Sequence, residues 1–231
     1  MEQQSSFRKT VGWLAIASAP FAFANFALTG IAGGGEQDLY NFFKVGEQGA
    51  TIMKWSWLAD MMGYYLLLVP AIFLLHYWLK NKNPYWMSIF TFCGLAYVLS
   101  GSIGAAILAK TWPTLISGYA NANEGAKEMY SIVFTNTTEM VYGGIWGYLE
   151  FLLAGIWWIG VGFTMKSERK LLGIATMILG LFTLAATLGD VFGLIFIALT
   201  GLIVTLLFAP IWAVWLGVTI LRHKNIQLTN L

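Results

Sequence analysis

Residues 142–160 read YGGIWGYLEFLLAGIWWIG, and apart from Glu150 every residue in the stretch is aliphatic, aromatic or glycine. Extended to Met140 and Met165, the run exceeds the roughly 20 residues that carry an α-helix across about 30 Å of hydrocarbon. A soluble core helix seldom stays apolar over such a length, so this stretch predicts a transmembrane span. It also places a carboxylate at depth. At 1.5 Å per residue, Glu150 falls roughly 16 Å from Glu139 and roughly 22 Å from Met165, close to mid-membrane.

The rest of the chain agrees with the first reading. Of 231 residues, 58% are hydrophobic and only 10% charged, against about 25% charged in a soluble domain. The mean hydropathy is +0.68. Six runs are long enough to span: Val11–Ile31, Trp55–Leu79, Tyr85–Ala109, Met140–Met165, Leu171–Phe192 and Leu202–Leu221. The expected fold is therefore all-α, a single domain over residues 1–231, built as a polytopic bundle of six transmembrane helices. GLIFIALTG, residues 193–201, is too short to span and reads as a helix extension or an interfacial segment. FRKTVGWLAIASAPFAFANFA has the layout of a secretory signal, and is read here as the first span.

Charge orients the bundle. With the N-terminus inside, the inner segments carry Arg8, Lys9, Lys80, Lys82, Lys166, Arg169, Lys170, Arg222 and Lys224, against Lys44, Lys54, Lys110 and Lys127 outside. Positive residues favour the cytoplasmic side, so both termini are expected in the cytoplasm of a multi-pass cell-membrane protein. Trp13, Trp55, Trp78, Trp86 and Trp112 stand near span ends and suit an aromatic belt. The inner turns KNKNP and KSERK make two tight hairpins. The outer segments, Ala32–Lys54 and Lys110–Thr138, are longer, and NEGAKEMYSIVF within the second has the pattern of a short amphipathic helix. RKTVG resembles RKLLG, and LLLVPAIF resembles LLFAPIWA, in the sense of a parallel repeat. Pro70 and Pro210 predict helix kinks.

Acids within or beside spans are the candidate site residues, because burial in a bilayer demands a partner or a purpose. Glu139 follows Asn136 by the spacing of a helix-start capping box, which gives it a structural explanation. Asp190 follows Gly189 near the outer end of its span, where water is close. Asp60 lies inside the second span beside Ser56, Gly63 and Tyr64. Glu150 shares a helical face with Glu139, Gly143, Gly147 and Ala154. Small residues there would let another helix approach and turn Glu150 into the bundle. Asn25, Ser18, Ser100, Ser102 and Thr187 are polar residues within other spans that could meet it.

Much is excluded. The single cysteine, Cys93, permits no intramolecular disulfide and no cysteine metal site. His76 and His223 stand near the inner ends of their spans and are read as interfacial, and no cofactor or metal is expected from them. Scattered basic residues give no nucleic-acid signature. No lysine lies deep within a span, and no hydrolase or phosphate-loop motif occurs.

Two stretches carry a resemblance. YLEFLLAGIWWIGVGFTMKSERKLLGIATMILGLFTLAATLGD and YYLLLVPAIFLLHYWLKNKNPYWMSIFTFCGLAYVL resemble hairpins of an uncharacterised bacterial six-span membrane family, a domain of unknown function. The resemblance implies a six-helix fold and a bacterial origin, and supplies no activity.

The expected function is binding of a ligand or cation in an outward-facing acidic intramembrane cavity formed by Asp60, Glu139, Glu150, Asp190 and Asn25, as in a receptor, carrier or proton-coupled transporter. An accessory subunit, packed against partner membrane subunits or further copies of itself, is the alternative. An intramembrane enzyme acting on a lipid comes third.

Overall fold

The computed structural model describes residues 2–33, 41–44 and 46–222. Among them there are helices and no strands. We label the helices α1 (Glu2–Gly33), α2 (Asn41–Lys44), α3 (Gly46–Leu79), α4 (Pro84–Asn121), α5 (Glu124–Met165), α6 (Lys170–Val191) and α7 (Ile195–Arg222). All but α2 are long and apolar enough to cross a membrane.

The six long helices form a closed ring. Each packs on its sequence neighbour, α3 on α4, α4 on α5, α5 on α6 and α6 on α7. The first helix then closes the circle by packing on both α3 and α7. Glycines make the tight seams. A Cβ on Gly217 would stand 2.6 Å from the Gly12 carbonyl oxygen, and one on Gly180 would stand 2.9 Å from that of Gly155. A larger residue at either place would push two backbones apart.

Five of the spanning helices, all but α6, run well past the boundaries that apolar residues alone mark. Most notably, α4 continues to Asn121 and α5 begins at Glu124, so the expected long connector over Lys110–Thr138 is two helix extensions with a break at Ala122–Asn123. The amphipathic NEGAKEMYSIVF is the first part of α5. At about 57 Å for its 38 residues, α4 overruns a bilayer. The overhang is held by an aromatic cluster rather than by lipid: Phe43 stacks 4.2 Å from Tyr119, and Trp112 lies 4.6 Å from Phe134. Trp112 is thus buried, with its Nε1 donating to Thr138 Oγ1 at 3.1 Å, and is no belt residue. Trp13, Trp55 and Trp86 are exposed, as a belt requires.

Residues 193–201 extend the last span. Gly193, at φ +69°, makes the turn out of α6, and α7 starts two residues later. Asn123, not Asn136, caps the fourth span: its Oδ1 accepts the Ala126 N–H at 3.0 Å. The two short turns at the other end of the bundle are tied by Lys82 and Glu168, 2.9 Å apart. His76 bonds Thr91 Oγ1 through Nδ1 at 2.8 Å. His223 and Lys224 lie outside the described residues.

Candidate functional site

Two spans lose their regular winding, and each does so beside a buried carboxylate. In α3 the α-spacing ends at Asp60. A π-helical stretch, Met61–Tyr65, and a 3-10 turn, Leu66–Leu68, follow before it resumes at Val69. Pro70 stands at the start of that resumed segment, so the kink expected there takes the form of an interruption one turn earlier. In α5 a longer π-helical stretch, Met140–Glu150, ends on the glutamate itself. Such π segments occur disproportionately at functional sites, because they cost stability and persist where geometry requires them.

Changes of winding and prolines leave backbone carbonyls without their helical partner, and three such carbonyls are satisfied from a neighbouring helix. The Phe151 N–H reaches back to the Trp146 carbonyl; the adjacent carbonyl, Gly147 O, accepts Thr187 Oγ1 at 2.7 Å. Tyr64 O, at the end of the first π stretch, accepts the Tyr97 hydroxyl. The third case concerns Pro210, about which α7 remains helical. Lacking an N–H, proline orphans the carbonyl four residues before it, and that carbonyl, Leu206 O, accepts the Tyr64 hydroxyl at 2.8 Å. Buried carbonyls need such partners.

Between these irregularities lies a cavity of about 420 Å³ to which all six spanning helices contribute. Aromatic rings form much of its wall. Trp57 and Trp146 stand 5.7 Å apart toward the α2 end. Toward the basic end, Tyr65 and Tyr97 are 5.7 Å apart, as are Tyr97 and Trp158. Glu150, 3% exposed, accepts the Tyr65 hydroxyl at 3.1 Å on both carboxylate oxygens. Asp60, 6% exposed, also lines the cavity, and its Oδ2 is buried without a hydrogen-bond partner. The indole Nε1 atoms of Trp57 and Trp158 are buried and unpartnered as well, and both side chains belong to the wall. An unpaired buried polar group costs about 1–3 kcal/mol. Three such atoms border this one cavity.

Of the residues singled out by sequence, four meet at this wall: Glu150 and Asp60 deep inside, Asn25 beside them, and Asp190 at an exposed edge. The Asn25 Nδ2 is engaged by Ser56, donating to its carbonyl at 3.1 Å and its hydroxyl at 3.0 Å. Glu139 is exposed and not part of the wall. Its capping role also fails, since Asn136 and Glu139 lie within a continuous helix. A shared face for Glu139 and Glu150 follows from α-spacing. The π winding turns less per residue, and over the intervening stretch the lag amounts to about half a turn. Gly143 and Gly147 face the cavity in place of a packed helix, and a Cβ on either would meet only atoms of α5 itself.

Sequence reading missed the aromatic members, Tyr65, Tyr97, Trp146 and Trp158 among them. The one signal was the pair Tyr64–Tyr65 a turn ahead of Pro70, where a proline already disturbs regular helix. Among the described residues no group of three or more His, Cys, Asp or Glu side chains is placed to hold a metal ion. No family model, curated protein or solved structure matches the chain.

Proposed function

We propose that this is a multi-pass membrane protein that binds a small organic cation, such as an amine, in the cavity between Asp60 and Glu150, and that it works as a receptor or carrier. The supporting observation is the charge of the wall: it holds three carboxylates, those of Asp60, Glu150 and Asp190, and no basic residue. A buried acid that is ionised requires a counter-charge and hydrogen-bond donors. Tyr65 gives Glu150 one donor; a ligand ammonium group would supply the rest and serve Asp60 too. The surrounding Trp and Tyr faces attract the same kind of ligand, since a cation over an aromatic ring gains about 0.5–2 kcal/mol.

The excess of Lys and Arg at the end bearing KNKNP and KSERK supports a cytoplasmic location for that end. The Asp190 edge of the cavity then faces outward, and a cation would enter from that side. Carrier action would have the irregular segments of α3 and α5 rearrange around the bound ligand.

The test is a screen of amines against the protein in nanodiscs, read by thermal shift and native mass spectrometry. A one-to-one amine complex is expected, lost on Asp60→Asn and Glu150→Gln while both variants stay folded. Co-purification of stoichiometric partner chains, with no amine bound, would replace this reading by that of an accessory subunit.

A further inference from the structure

The cavity does not end at its carboxylates. Its wall runs from buried Glu150 to Phe26 of α1 and Leu199 of α7, which are 36% and 51% exposed. These two helices are knitted together toward the basic end, where Gly12 meets Gly217 and Leu221. Toward the other end each is held by a different neighbour. Asn25 and Thr29 bind α1 to Ser56 of α3, with Thr29 Oγ1 2.7 Å from the Ser56 hydroxyl. Thr205 of α7 bonds Thr183 of α6 at 3.0 Å, and Gly201 and Gly189 seat α7 against α6 at close range. The rim of the cavity lies in this part of the molecule.

The chemistry beside the rim is that of lipid, not water. The α6–α7 turn at Gly193 is flanked by Phe192, Ile195 and Phe196, exposed by 72%, 71% and 83%. A contiguous apolar patch of that kind marks a membrane or partner contact. With 22 residues, α6 is about 33 Å long, just the thickness of the hydrocarbon layer. Its end therefore stands at the bilayer boundary, and the rim, one turn into α7 and level with Gly189, lies just inside it, while α4 and α5 overrun it.

On the reading that the cavity takes an organic cation, we infer that its ligand is a cationic amphiphile whose head group sits between Asp60 and Glu150 and whose apolar tail leaves sideways into the lipid past Phe26 and Leu199. The ligand reaches the site from the membrane, and the depth of the carboxylates below the rim selects long-chain over short-chain amines.

Dodecylamine, butylamine and dodecanoate, each added to the protein in phosphatidylcholine nanodiscs, test this by native mass spectrometry and by tryptophan fluorescence, with uptake by empty discs subtracted and affinities referred to the free aqueous concentration. One dodecylamine per chain is expected, tighter than butylamine by about tenfold or more because additional methylenes are buried. Leu199→Trp, an exposed substitution that fills the rim, should weaken dodecylamine and leave butylamine unchanged. Phe26→Trp is the second variant for the same effect, and an unchanged melting temperature confirms the fold of each. Equal corrected affinities for the two amines, or indifference of dodecylamine to both rim variants, would overturn the sideways exit while leaving the cation reading intact. Dodecanoate binding as tightly as dodecylamine would overturn the cation reading itself.

Discussion

Among the described residues, Glu150 accepts hydrogen bonds from one hydroxyl. Tyr65 donates to both of its carboxylate oxygens, and the Tyr65 ring is held in turn against Gly101, where a Cβ would overlap it. Tyr65→Phe should therefore lower stability by about 1–3 kcal/mol, the usual cost of leaving a buried acceptor unpaired, measured by unfolding in detergent. Gly101→Ala should lower it at least as much, because it displaces the same ring. Glu150→Gln, whose amide oxygen still accepts from Tyr65, should stay within about 1 kcal/mol of the parent while losing amine binding. If Glu150→Gln destabilises the protein as much as Tyr65→Phe does, Glu150 is a strut between helices rather than a ligand site.

Elements carry the next set of consequences. Tyr64 hydrogen-bonds the carbonyl that Pro210 leaves free, so the two residues are coupled across α3 and α7. Tyr64→Phe should cost about 1 kcal/mol in the parent protein. In a Pro210→Ala background, where the restored N–H takes over Leu206 O, it should cost almost nothing. A double-mutant cycle reads the difference, and additive effects would show the two residues to be independent. Thr187→Val tests the junction in α5 in the same way. Gly147 O would be left without its donor, and amide exchange over residues 147–151 should accelerate ahead of the rest of the helix.

At the scale of the molecule, the closed ring and the polarity of its ends matter. Gly217 lies against the Gly12 carbonyl and the Ile16 backbone, so Gly217→Val should part α1 from α7 and lower the melting temperature. The same change at exposed Gly144, which has nothing within 4 Å, should leave it unaltered. Membrane orientation is read by single cysteines at Gly125, in the overhang, and at Ser167, in a basic turn; native Cys93 is buried. An impermeant maleimide added to intact cells should label Gly125→Cys and spare Ser167→Cys, and the reverse pattern would turn the cavity toward the cytoplasm.

Hydrophobic length was enough to read six spanning helices from the sequence, because a run of apolar residues is a local property that burial in lipid or protein only ratifies. That Glu150 falls inside such a helix followed from the same count. Which acids meet did not, since that depends on winding and on neighbours. Glu139 was assigned to the face of Glu150 on α-spacing and lost it to a π stretch with no local signature. The overhang of α4 and α5 was equally hidden, because its helices are held by Phe43, Trp112 and Phe134, which come from three different elements. Asp60 and Glu150 stand 90 residues apart in the chain, and the packing of α3 and α5 on α4, with the Tyr65–Glu150 bond between them, places them on one aromatic wall. Periodicity and composition thus determined the elements and their number. Long-range packing, hydroxyl capping of passed-over carbonyls, and the close approach of glycine seams decided the cavity.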